Sequence, residues 1–137
     1  IFALSISWAA FGMAIPTAVK LAPTPQTGDL FAVENIRAER DGETLALYVT
    51  REIKAPVHMA ANVRVMRREG DRWVQDCIAT GPTTLYMPDA ELEQPVSLSW
   101  WTWGQCEAVP SVPLRIVTTW QPTAPGMQPV THVTEVE

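Results

Sequence analysis

Histidine, cysteine and basic side chains are scarce in this 137-residue chain, and each shortage removes a class of function. There are two histidines, His58 and His132, and neither has a serine, cysteine or aspartate beside it as a nucleophile–base pair. No HExxH and no GxSxG occurs, so no enzyme is expected. Lys and Arg together number 10 against 15 Asp and Glu, and the resulting net charge of −5 is the wrong sign for nucleic-acid binding. Asp89, Glu91 and Glu93 lie close together but lack the alternating acidic spacing and distal Glu of a calcium loop, so they read as a solvated loop. Neither a metal nor a cofactor is expected. Arg64, Arg67, Arg68 and Arg72 are diluted by Glu69 and Asp71 around a turn, which reads first as a solvated hairpin and second as a partner surface.

Charge is missing altogether from residues 1–19. At ~1.5 Å per residue a helix of that length reaches about 28 Å, close to the ~30 Å hydrocarbon thickness of a bilayer. A helix satisfies its backbone polar groups internally, so lipid can surround it. Pro16 falls in the last turn, where it is tolerated, and Lys20 can snorkel to the headgroups. Residues 1–20 are therefore expected to form one transmembrane helix, with a cleavable signal peptide or a buried core helix as the competing readings. Ala3, Ser7, Ala10, Ala14 and Thr17 make one stripe of small residues, and Ser5, Ala9, Gly12 and Pro16 a second. Small residues let helix backbones approach in lipid, so Ala3, Ser7, Ala10, Gly12 and Ala14 are candidate packing positions against other transmembrane helices or other copies of the chain. The competing reading is general small-residue enrichment of membrane helices.

Cysteine occurs twice, at Cys77 and Cys106, 29 positions apart and with no histidine nearby in sequence. A metal site needs more ligands at closer spacing, so a disulfide is expected, with two buried thiols as the alternative. A disulfide places the domain in an oxidising space, hence an inner-membrane anchor with a periplasmic or extracellular domain.

After the uncharged stretch the pattern changes. Pro23 and Pro25 predict an extended, semi-rigid stalk over residues 21–29. Period-two alternation then dominates, with Asp41-Gly42 and Gly70-Asp71 as hairpin signals. Strands are predicted over 30–40, 43–51, 58–68, 73–79, 83–87, 96–103, 113–121 and 130–136. Val63 and Val65 are expected to face inward, while Leu45, Leu47 and Val49 share one face of their strand and Leu114, Ile116, Thr118 and Trp120 one face of theirs. Many short strands with regular turns and no convincing soluble helix predict an all-β fold. Its expected form is an immunoglobulin-like antiparallel β-sandwich over 30–121, followed by a Pro-rich spacer and terminal strand over 122–137. The likeness to immunoglobulin domains is architectural, since the cysteine and tryptophan spacing differs from the antibody pattern.

The densest stretch is WWTWGQC, residues 100–106. Strand alternation sends Leu98 and Trp100 inward and leaves Trp101 and Trp103 on the opposite face. Those two indoles either cap the sandwich and shield the disulfide, or offer a surface to a protein, glycan or lipid. The terminal strand 130–136, set off by Pro122, Pro125 and Pro129, either returns to its own sheet or adds to that of a neighbouring copy.

The segment 96–120, with WWTWGQC followed by RIVTTW, resembles small uncharacterised single-span envelope proteins of proteobacteria and their phages. The resemblance brings no described activity and no functional residue. A hydrophobic helix feeding a β-rich head also resembles a pilin, although Ser5 stands where the type IV pilin pattern has glutamate. The function expected is a non-enzymatic structural or accessory subunit of a membrane-associated assembly, in a bacterial envelope or a membrane-containing virion. The alternatives are a pilin-like filament subunit and a membrane-tethered binding module that uses its tryptophans.

Overall fold

Alternating apolar side chains need two faces to meet, and here two antiparallel sheets supply them. A computed structural model describes residues 26–41, 44–88, 95–107 and 111–137. The expected helix over 1–20, with Ala3, Ser7, Ala10, Gly12 and Ala14, lies outside the described residues, as do the centre of the Asp41-Gly42 turn and the acidic loop 89–94. Among the described residues no helix is long and apolar enough to cross a membrane.

The elements are α1 (Thr27–Leu30), β1 (Phe31–Asp41), β2 (Thr44–Ile53), β3 (Val57–Glu69), β4 (Arg72–Tyr86), β5 (Val96–Ser97), α2 (Leu98–Trp101), β6 (Leu114–Pro122) and β7 (Val130–Val136). One sheet has the order β1-β2-β5 and the other β4-β3-β6-β7, all pairings antiparallel. The chain changes sheet after β2, after β4 and on the way from β5 to β6. Leu45, Leu47 and Val49 of the first sheet share one core with Met59, Val63, Val65, Leu114, Ile116 and Trp120 of the second. Each comes from a strand whose burial alternates, as the sequence pattern requires. Gly70 turns β3 into β4 at φ 64°, at the first central position of a two-residue loop, where a II′ turn calls for glycine. Strand β7 pairs with β6 of its own chain from Trp120↔Val130 to Leu114↔Val136.

Three local expectations are corrected. The stalk predicted through residue 29 ends in a helical turn: the Gln26 backbone N–H donates to the Asp29 carboxylate at 3.3 Å, and Thr27 is buried. The gap between the strands predicted over 73–79 and 83–87 closes, since β4 runs through Gly81-Pro82. Ala60 pairs with Thr83 and Asn62 with Thr80, so Gly81 and Pro82 together oppose Ala61 as a bulge. Proline fits because β4 is the edge of its sheet. The strand predicted over 96–103 is only Val96–Ser97, after which the chain coils into α2.

One seam between the sheets is tied by polar contacts. Thr134 Oγ1 donates to the Ile36 carbonyl at 3.2 Å, joining β7 to β1. The Arg40 guanidinium donates to the Glu137 carbonyl at 3.0 Å and also to that of Val112.

The opposite seam is closed by the disulfide pair. The Cys77 and Cys106 sulfurs are at bonding distance with Cα atoms 6.0 Å apart, linking β4 to the segment after α2. Replacing both cysteines by serine is expected to lower stability by about 3.5 kcal/mol on loop-entropy grounds. Urea unfolding of the pair variant beside the oxidised chain measures it, and an unchanged midpoint refutes the link as a source of stability.

Candidate functional site

The seam beside β4 is built by the tryptophan stretch, and local chemistry explains its shape. Ser97 ends β5 because its hydroxyl accepts the Trp100 backbone N–H at 3.1 Å, a helix N-cap. Thr102 closes the turn: its N–H reaches the Leu98 carbonyl at 3.0 Å and its hydroxyl donates to the same carbonyl at 2.8 Å. Trp103 then takes φ 53° and Gly104 φ 76°, so the backbone reverses through the left-handed region. For a bulky residue such as Trp103 that conformation is strained.

Helical rather than strand spacing therefore sets which indoles face inward. Leu98 and Trp101 are buried, Trp101 at 7% exposure, while Trp100 is 58% and Trp103 42% exposed. The expectation that Trp100 faces inward, and that Trp101 pairs with Trp103 as an exposed surface, is thus corrected. Trp101 donates its indole N–H to Thr118 Oγ1 at 3.0 Å, which satisfies a buried donor inside the core. It also meets Trp120 edge-on at a centroid distance of 6.2 Å.

Three residues of the same stretch fasten to β4. The Trp103 ring lies directly over Gly81, so close that a Cβ there would stand 2.2 Å from it. The Gln105 carboxamide donates to the Thr80 carbonyl at 3.1 Å and accepts the Thr80 N–H at 3.4 Å. Cys106 bonds Cys77. Ring, amide and sulfur together form a clasp along the strand.

Behind the clasp lies a cleft of about 560 Å³, within the ordinary range for a ligand site. Its floor is Ala61, Val63, Thr118 and Trp120, buried residues on the inner face of β3 and β6. Thr84 and Tyr86 of β4 make one wall, Arg51 of β2 another, and Ser99, Trp100, Trp101, Trp103 and Gly104 the rim. Phe31 packs on Tyr86 at 5.6 Å and on Trp120 at 5.2 Å, so the start of β1 buttresses the cleft. The Arg51 guanidinium lies 5.0 Å from the centre of the Tyr86 ring. Burial pulls the Arg51 pKa below its ordinary value, and burial, ahead of the opposing pull of Arg51, pushes the Tyr86 phenol up.

The lining carries hydroxyls, indoles and one cation among its described members, and no carboxylate or imidazole. Such a set can grip an apolar group and orient it by a few polar contacts. His132 faces its own strand neighbour Thr134, 3.4 Å from Nδ1 to Oγ1, and burial lowers its pKa. Around the β3–β4 turn, Arg67 lies 3.6 Å from both Glu69 and Asp76. Among the described residues no group of three metal-ligating side chains converges. Arg51, Tyr86 and the floor residue Ala61 were not singled out by sequence, and Thr118 was placed only on a strand face, because the fold alone brings them together. Comparisons with protein-family models, with curated proteins and with solved structures find no match.

The contact between Trp103 and Gly81 predicts a coupled pair of substitutions. Gly81→Ala alone is expected to cost about 1–3 kcal/mol through overpacking, and markedly less when Trp103→Ala has already removed the ring. A double-mutant cycle by urea unfolding reads the coupling; strictly additive costs refute the contact. A second prediction concerns pH. Unfolded Tyr86 ionises near its usual 10.0, whereas the folded phenol holds its proton to higher pH. The stability linked to it is full below that value and is lost as pH rises through the folded pKa. Unfolding curves at pH 8, 10 and 11 should fall more steeply for the natural chain than for Tyr86→Phe.

Proposed function

We propose that the chain is a non-enzymatic binding subunit of a membrane-associated assembly, in a bacterial envelope or a membrane-containing virion. Residues 1–20 cross the inner membrane once, and an immunoglobulin-like sandwich on the periplasmic or extracellular side holds a protein partner in the tryptophan-lined cleft. The cleft is the observation that carries this reading. Its rim exposes Trp100 and Trp103 beside a hole that reaches the core, and tryptophan is the residue type most enriched among binding hot spots. The order β1-β2-β5 facing β4-β3-β6-β7 supports the immunoglobulin-like assignment, with β4 beside β3 as an added edge strand. The disulfide pair supports an oxidising compartment, and the uncharged residues 1–19 support the anchor. With β7 completing its own sheet, lateral contacts fall to the cleft and to the small-residue stripes at Ala3, Ser7, Ala10, Gly12 and Ala14.

Membranes from the native source, extracted in mild detergent and weighed by native mass spectrometry, test the reading. The chain is expected to leave with at least one partner, and Trp100→Ala with Trp103→Ala should release that partner while the chain stays in the membrane. Alkaline carbonate extraction without detergent overturns the anchor; a lone chain unaffected by the tryptophan changes overturns the binding role.

A further inference from the structure

We propose that the cleft and the open edge of β4 form one strand-addition site for an extended peptide. The peptide backbone pairs with residues 83–86, and one large apolar side chain, flanked by an acidic residue, enters the cleft beside Trp103. This rests on the reading of the chain as a binding subunit and adds the chemistry of what is bound.

Strand β4 stands at the end of its sheet, and among the described residues β3 is its one strand neighbour. The edge already shows what it accepts. At Thr80 the Gln105 carboxamide takes the backbone carbonyl and supplies an acceptor to the N–H. A carboxamide carries the same donor and acceptor as a peptide unit, so Gln105 is a one-residue stand-in for a paired strand. The clasp ends there. Beyond the Gly81-Pro82 bulge, residues 83–85 are exposed, and Leu85 and Met87 leave 44% and 48% of their surface to solvent. Pro82 donates no hydrogen bond, which confines pairing to the stretch after it.

Alternation joins this edge to the cleft. Thr84 and Tyr86 point into the lining, so a strand laid beside them sends every second side chain the same way. Strand addition takes affinity from main-chain hydrogen bonds and specificity from pockets for alternate side chains. The pocket here has a floor of small residues at Ala61 and Thr118 under a rim of indoles, which suits a large aliphatic or aromatic group. Arg51 is the charged side chain among the described lining residues, and its cation sets the preference for an acidic neighbour over a basic one.

The test is selection of a randomised nine-residue peptide library on the full chain in detergent micelles. Expected are sequences with one large apolar residue next to Asp or Glu. Replacing that residue by Ala should weaken binding at least tenfold, and so should Ala61→Leu, which fills the floor; the thermal midpoint of the variant checks its fold. N-methylation of alternate peptide amides should cost a further tenfold or more at the pairing positions, with no change made to the protein. Binding indifferent to N-methylation, or matched by N-acetyltryptophanamide alone, overturns strand addition while leaving the binding subunit intact. Selection that enriches nothing, together with no response to N-acetyltryptophanamide, overturns both.

Discussion

The clasp between residues 103–106 and β4 is the constraint on which the rest depends. Among the described residues the two sheets are unequal: three strands face four, and the third, β5, is two residues long. Among those residues no full strand stands opposite the inner side of β4 and β3, and apolar surface left bare there would remain in water. Helix α2 and the turn after it take that place. They can do so only if held against β4, which the Trp103 ring, the Gln105 amide and the Cys106 sulfur accomplish within four residues. On the far side of the sandwich the seam needs no such device, because β1 and β7 approach closely enough for Thr134 and Arg40 to bond main-chain carbonyls.

A seam closed by indoles differs from one closed by a strand. Rings are large and flat, and those at Trp101 and Trp120 meet edge to face rather than filling the space over Ala61 and Thr118. The result is a hole reaching the core, which forgoes the dispersion contacts that a filled interior would make. Polar groups around it nonetheless find partners: Thr118 takes the Trp101 N–H, and the Arg51 guanidinium lies over the Tyr86 ring. A void of this kind, lined by packed rings, is preformed, so a group that filled it would restore the missing contacts without first reorganising the protein, and binding of that kind would stabilise the fold.

Much of the sandwich was legible because strands advertise themselves by period two. Leu45, Leu47 and Val49, or Leu114, Ile116 and Trp120, recur at every second or fourth position and are buried as a set, with more exposed residues between. The hairpin at Gly70-Asp71 followed from turn chemistry alone. What failed was local. Four residues, LSWW, fit strand alternation as well as a helical turn, and a segment that short carries too few repeats to separate the two periods. The deciding signals were present at its ends, Ser97 as an N-cap and Gly104 after the reversal, but they are weaker than the pull of aromatic residues toward strand. Gly81-Pro82 misled for a related reason: the pair punctuates most chains, yet on an edge strand it makes a bulge. The pairing of two cysteines could be inferred by counting. That it fastens α2 to β4, with a glycine cleared for a tryptophan ring between, depends on tertiary contacts that no spacing records.

The place where the chain enters the domain bears on how the cleft is presented. Phe31, the first residue of β1, packs against both Tyr86 and Trp120, and the Leu30 carbonyl accepts the Lys54 N–H at 2.7 Å. The short helix α1, with Thr27 buried, turns the chain immediately before this contact. The N-terminal end of the described residues is thus fixed to the same aromatic cluster that walls the cleft. Since Phe31 buttresses Tyr86 and Trp120, loosening the start of β1 would loosen a wall and the floor of the cleft with it.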